Sequence, residues 1–102
     1  MTTKTITVTA AGASSAIPID LKYFKYGIGL VVTIPSGSSA TYDVEVTGDD
    51  PKGALTNWNP HDILKNKTAS ANSNLAYPVT AVRLNPDSIS GSLTLAVITA
   101  EG

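Results

Sequence analysis

Apolar and polar residues alternate with a period of two over much of this 102-residue chain, the spacing expected of β-strands with one buried face. Thr3 to Ala10 places Ile6, Val8 and Ala10 on one side and Thr5, Thr7 and Thr9 on the other. Ala11 to Ser15 reads as a loop. Ala16 to Leu21 is a second extended piece, and Pro18, which lacks a backbone N–H, assigns it to a sheet edge or an irregular strand. Ile28 to Ile34 is almost continuously apolar, as expected of a strand covered on both faces or crossing the centre of a sandwich. The turn residues Pro35-Ser36-Gly37-Ser38-Ser39 end it. Thr41 to Thr47 alternates cleanly, with Tyr42, Val44 and Val46 inward and Asp43, Glu45 and Thr47 outward, and is expected to pair with the preceding strand as a hairpin.

From Gly48 to Asn74 the periodicity fades, and Asp49-Asp50-Pro51-Lys52-Gly53 and Asn57-Trp58-Asn59-Pro60 mark a long connection. Within it Asn59 is placed to cap a single helical turn beginning at Pro60. Tyr77 to Asn85 and Ser92 to Thr99 complete the strands, joined through Asn85-Pro86-Asp87-Ser88 and Ser90-Gly91. Six or seven strands with one long excursion predict an all-β fold. The expected architecture is an antiparallel β-sandwich, the jelly roll being the form that fits, with one long irregular connection, in one domain spanning residues 1–102.

Composition agrees with this reading. Thr, Val and Ile account for 29 residues, Gln is absent and Glu occurs twice, a balance suited to pleated surfaces rather than helices. The net charge is −1 and no run of like charge occurs, which argues against nucleic acid or an anionic membrane as the main partner. Cysteine is absent, removing disulfides, thiolate metal sites and cysteine nucleophiles together. Neither a signal-peptide core nor an 18-residue apolar run is present, so a soluble, non-secreted product is expected. A domain of this size gains stability by burying a face against a neighbour, which makes self-association or docking plausible.

Few residues suggest chemistry. His61 is the sole histidine and, with Asp62 beside it and Asp49 and Asp50 upstream, can be drawn as an acid–base pair or a metal site. A nucleophile held against it is not evident, because the serines lie in Gly-rich turns whose composition explains them. The Asp49-Asp50-Pro51 stretch lacks the alternating oxygen-ligand spacing of a calcium loop and reads as a solvated turn. Trp58, the sole tryptophan, is either a stacking or anchoring side chain for a sugar or protein, or the plug that fastens the long loop to the sandwich. Tyr23, Phe24 and Tyr26 bracket Lys22 and Lys25; with so little basic charge, core or interface packing is favoured over base stacking. Arg83 alternates with Val82 and Leu84, so its guanidinium faces away from the core toward solvent or a carboxylate, with a structural salt bridge the preferred reading.

Three stretches carry a family resemblance. They are Gly27-Ile28-Gly29-Leu30-Val31-Val32 leading into Ala40-Thr41-Tyr42-Asp43-Val44-Glu45-Val46-Thr47-Gly48-Asp49-Asp50, then Trp58-Asn59-Pro60-His61, then Tyr77-Pro78-Val79-Thr80-Ala81-Val82-Arg83-Leu84-Asn85. Together the chain from Ile17 to Thr99 resembles the small capsid decoration, or cement, proteins of tailed bacteriophages. The resemblance implies a jelly-roll sandwich that assembles as homodimers, or alternatively trimers, on the outer surface of a shell of major capsid protein after synthesis in the host cytoplasm. It implies no enzyme activity and no cofactor. Tyr23, Phe24, Tyr26, Trp58, His61 and Arg83 are the expected interface residues, with the termini and the Gly48 to Asn74 excursion as the regions that meet the capsid. A tail or host-attachment module, binding carbohydrate through Trp58 and Tyr23 or Tyr26, is the alternative, and a hydrolase centred on His61 and Asp62 is a third.

Overall fold

The computed structural model describes residues 2–19, 27–50, 52–75 and 79–99. Among these, eight strands form: β1 (Thr2–Val8), β2 (Ile17–Pro18), β3 (Ile28–Thr33), β4 (Ser39–Thr47), β5 (Asn59–Pro60), β6 (Ala71–Asn74), β7 (Ala81–Ser90) and β8 (Leu93–Thr99). They make two antiparallel four-stranded sheets, one ordered β1-β8-β3-β6 and the other β2-β7-β4-β5. β1 pairs with β8, β2 with β7, β3 with β6 and β4 with β5. This is one long hairpin folded about its middle and then rolled, so that β3 also meets β8 and β4 also meets β7. The fold is a jelly-roll β-sandwich.

The alternation read from the sequence sets the core. Ile28, Leu30 and Val32 of β3 and Leu93, Leu95 and Val97 of β8 are buried against Tyr42, Val44 and Val46 of β4 and Val82 and Leu84 of β7. Each strand contributes every second side chain, as the pleat requires. β3 alternates buried and half-buried positions instead of being covered on both faces, and it lies between β8 and β6 inside its sheet.

Four local expectations are corrected. β3 and β4 do not form a hairpin: they lie in different sheets, joined by an arch in which Ser38 N–H donates to Pro35 O at 3.0 Å. A hairpin would place both apolar faces on one side of one sheet, whereas the arch sets them opposite each other and buries both. Thr47, expected outward, is buried at 1 % exposure, because the following turn folds over it; its Oγ1 accepts from Asp49 N–H and Thr80 Oγ1 donates to Asp49 O at 2.6 Å. Asn59 and Pro60 do not start a helical turn but form an edge strand opposite Val46 and Glu45, where a residue without an N–H is tolerated. Finally, Asn85 to Ser88 is not a turn. β7 continues through it with a bulge at Asp87, Pro86 facing Tyr42 and Ser88 facing Thr41, and the bulge accommodates the proline.

The long excursion is therefore an interrupted edge. After β5 the chain stays beside β4, with Val44 N–H donating to Leu64 O at 2.7 Å, and Tyr42 and Lys67 exchanging both backbone hydrogen bonds at 2.9 Å. The opposite edge is built the same way. Gly12, Ser14 and Ile19 N–H groups donate to Pro86, Leu84 and Thr80 carbonyls, and Ser14 Oγ accepts from Leu84 N–H where that ladder slips. Pro18 lies on this edge, as its chemistry requires.

Two inter-sheet arches, β3 to β4 and β7 to β8, meet at Gly91. Its φ is +91°, and a Cβ there would stand 2.8 Å from Ser38 Cβ, while Ser38 Oγ accepts from Ser92 N–H at 3.1 Å. Gly91→Ala is expected to lower unfolding free energy by about 1–3 kcal/mol from backbone strain plus the collision. Gly37→Ala, at φ +86° with open space around it, should cost less. Urea denaturation of both variants checks this, and equal losses would show that the arch contact is immaterial.

Candidate functional site

The outer surface of the β2-β7-β4-β5 sheet gathers the polar chemistry. Register places Glu45 of β4 directly opposite Arg83 of β7, and Asp43 opposite Asn85. Arg83 Nε donates to Glu45 Oε1 at 2.7 Å and Asn85 Nδ2 to Glu45 Oε2 at 3.2 Å, so both carboxylate oxygens are engaged. The Arg83 guanidinium carbon stands 4.2 Å from the centroid of the Trp58 ring, within cation–π range. The salt bridge expected of Arg83 is thus present, and Trp58 sits on its other side. Trp58 Nε1 donates to Leu55 O at 3.0 Å, so the half-buried indole has its polar atom and one ring face committed inside the fold.

Asp49 shapes the loop that delivers Trp58. One of its oxygens accepts from Thr56 N–H and Asn57 N–H, each at 2.8 Å, and the other from Asn57 Nδ2 at 3.0 Å. The Asn57 side chain first, then the two backbone donors, hold the carboxyl below the usual carboxylate range. Asp50 accepts from Lys52 N–H at 2.9 Å, closing the turn. This acidic pair organises backbone rather than presenting free ligands.

His61 is not paired with Asp62. It is 3 % exposed, its Nδ1 faces Ile63 N–H at 3.1 Å and Leu64 N–H at 3.2 Å, and its Nε2 lies 2.8 Å from Asn74 O. Two donors pointing at Nδ1 make that nitrogen the acceptor and place the proton on Nε2, which donates to Asn74 O. With His61 N–H also donating to Val44 O at 2.7 Å, the residue joins β4 and the β5 edge of one sheet to β6 at the edge of the other. Both ring nitrogens are occupied by backbone, so the imidazole has no lone pair to offer a substrate or a metal. Among the described residues no three His, Asp or Glu side chains cluster to hold an ion.

Of the six expected interface residues, the structure brings Trp58 and Arg83 into contact, buries His61 between the sheets, and leaves Tyr23, Phe24 and Tyr26 outside the described residues. Sequence reasoning did not pick out Glu45, Asn85 or Asp49 as partners. The alternation of Glu45 with Val44 and Val46 was the available signal, but the strand opposite it could not be read without the register.

No known relative supplies a second line of argument. No protein-family model matches the chain, and no curated protein or solved structure matches it either. What the cluster does must be read from its own geometry. Trp58, Arg83, Glu45 and Asn85 form one continuous contact network on the outer face of this sheet.

Two outcomes test these assignments. His61→Leu keeps apolar volume but leaves Ile63 N–H, Leu64 N–H and Asn74 O without their partner, and is expected to cost about 2–4 kcal/mol in urea denaturation; stability equal to wild type would remove its role between the sheets. Asp49 has a depressed folded pKa, so its contribution is complete above its unfolded value and is lost as pH falls through the folded one. The stability gap between wild type and Asp49→Asn should therefore be constant above about pH 5 and close on acidification below about pH 3.9. A gap that persists in acid would exclude the ionised carboxylate as its source.

Proposed function

We propose that this chain is a bacteriophage virion structural protein that decorates the capsid and stabilises it by bridging major capsid protein subunits. One observation carries the reading. The three stretches on which the resemblance to capsid decoration proteins rests, far apart in sequence, meet at one place: Glu45 from the first, Trp58 from the second and Arg83 from the third form a single contact cluster. His61 of the second stretch also donates its N–H to Val44 O of the first. The stretches that carry the resemblance thus coincide with the contacts that pin the long excursion onto the sandwich.

The chemistry of the side chains supports the same reading. His61, Asp49 and Glu45 are each engaged by groups of the fold, which supports a role carried by shape and surface. A jelly roll with pinned edges presents rigid surfaces to a partner, so little conformational freedom is lost on docking. On a shell, each copy would bridge neighbouring subunits, and repeated weak contacts raise the barrier to rupture by internal DNA pressure through mass action and multivalency. Localisation on the outer capsid surface, with neither nucleic acid nor membrane as partner, follows from the same proposal.

The purified chain is expected to bind undecorated, DNA-filled capsids saturably and at fixed stoichiometry, and to raise the temperature of DNA release measured by dye fluorescence. Equal release temperatures with and without saturating protein would sink the stabilising role. A positive glycan array combined with no capsid binding would move the assignment to host attachment.

A further inference from the structure

We propose that the free edge of β1 is a strand-addition site that takes an extended segment of another protein, antiparallel to β1 and with a carboxylate opposite Lys4. The hydrogen-bond phase across the sheet identifies the groups involved. Leu75 N–H donates to Ile28 O at 3.1 Å, so Ile28, Leu30 and Val32 turn their backbone groups toward β6, and Gly29, Val31 and Thr33 turn theirs toward β8. β8 alternates in its turn: Thr94, Ala96 and Ile98 face β3, while Leu93, Leu95 and Val97 face β1. Opposite these last three stand Val8, Ile6 and Lys4. The N–H and C=O groups of Thr3, Thr5 and Thr7 therefore point away from β8 at the margin of the sheet, and no described residue hydrogen-bonds to them.

The other three edges are shorter or already engaged. β2 and β5 are two residues long, and the segments that continue them stay hydrogen-bonded to β7 and β4. β6 has four residues, and the outward carbonyl of Asn74 accepts from His61 Nε2. β1 runs for seven residues in unbroken register with β8, and the contacts that close the flanks do not reach it. Unpaired backbone groups repeating every ~6.6 Å along a straight edge are the template for one more strand, and main-chain pairing of this kind is a recurrent way of capturing an extended peptide.

Lys4 selects the occupant. It is exposed, lies in phase with the half-buried Ile6 and Val8, and has no ion-pair partner among the described residues. A strand laid on β1 places one side chain directly across from it, where an opposite charge stabilises the pair and a like charge opposes it. A second copy of this chain, paired antiparallel about Thr5, would set each Lys4 against the Ile6 of the other copy and bring two ammonium groups into an otherwise apolar row. A lysine on an edge strand resists that pairing. A segment of a different protein, acidic opposite Lys4 and apolar opposite Ile6 and Val8, meets no such penalty, so charge complementarity chooses it. This inference stands apart from the capsid reading, since any protein bearing such a segment fits.

The test is NMR-detected amide hydrogen exchange of the full chain with and without the hexapeptide Val-Thr-Val-Thr-Glu-Thr, which runs antiparallel to β1 with its glutamate at Lys4. The peptide is expected to slow exchange at Thr3, Thr5 and Thr7 and to leave Lys4, Ile6 and Val8, already bonded to β8, unchanged. Thr5→Pro removes one outward donor at an edge, where proline is tolerated, and should weaken binding at least tenfold while the β8-bonded amides stay protected. Lys4→Glu should weaken binding of this peptide about two- to fivefold and improve binding of its counterpart with lysine in place of glutamate by a similar factor. Unchanged exchange at the three threonines, binding indifferent to Thr5→Pro, or no reversal on the charge swap would each overturn the proposal. Protection of these amides that rises with protein concentration in the absence of peptide would overturn it too, by giving the edge to a second copy. The outcome does not depend on whether the protein binds capsids.

Discussion

Two sheets laid face to face bury side chains well but leave the sandwich open along its flanks, where edge strands carry unpaired backbone groups over the margin of the core. Closing those flanks is the constraint on which the rest of this structure depends. On one side Gly12 to Ile19 follows β7 with few residues in regular strand, Ser14 Oγ standing in for a backbone acceptor. On the other, His61 crosses from the β5 edge to Asn74 of β6, and the Tyr42 hydroxyl reaches Ala69 O at 2.8 Å just before β6 begins. Burial raises the Tyr42 pKa, which keeps the phenol a donor. Leu64, fully buried beneath the His61 turn, supplies the apolar anchor at that flank.

The same constraint accounts for the fate of the reactive-looking residues. A small sandwich without cysteine has no crosslink to hold its long connection, so polar side chains do that work. His61 fixes the turn between β5 and Lys67, Asp43 Oδ1 accepts from Asn66 N–H at 2.6 Å where Asn66 adopts φ 51°, and Asp49 gathers Thr56 and Asn57 so that Trp58 arrives over Arg83. The residues that look like chemistry when read singly form a chain of loop fasteners when read in space. Among the described residues the two broad faces then differ in kind: one is charged and internally networked, the other without charge and rich in threonine.

How much of this was legible in the sequence follows from the range of the interactions involved. The strands β1, β3, β4 and β8 were readable because alternation is local: each residue's side is set by its neighbours two positions away. Pro18 announced an edge because its missing N–H is a property of the residue itself. The hairpin expected between β3 and β4 failed because Pro35 to Ser39 fits an arch between sheets as readily as a turn within one, and only the burial of both apolar faces against each other decides between them. Pro86 and Asp87 look like a turn because bulge and turn use the same residues. Among the site residues, the outward aim of Arg83 was readable from alternation, whereas its partners Glu45 and Trp58 were not, since both come from segments at least 25 positions away.

The sequence by itself determined an all-β sandwich, the inward and outward sets of its main strands apart from Thr47, the absence of thiol chemistry and the existence of a long connection near the middle, since each depends on residue type and short-range spacing. The tertiary structure alone decided the pairing of β1 with β8 through β4 with β5 that makes a jelly roll, the placement of His61 between the sheets, the meeting of Glu45, Trp58 and Arg83, and the gathering of charge onto one face. These rest on contacts between residues distant along the chain, where register and the shared need to bury apolar surface, not local preference, choose the partner.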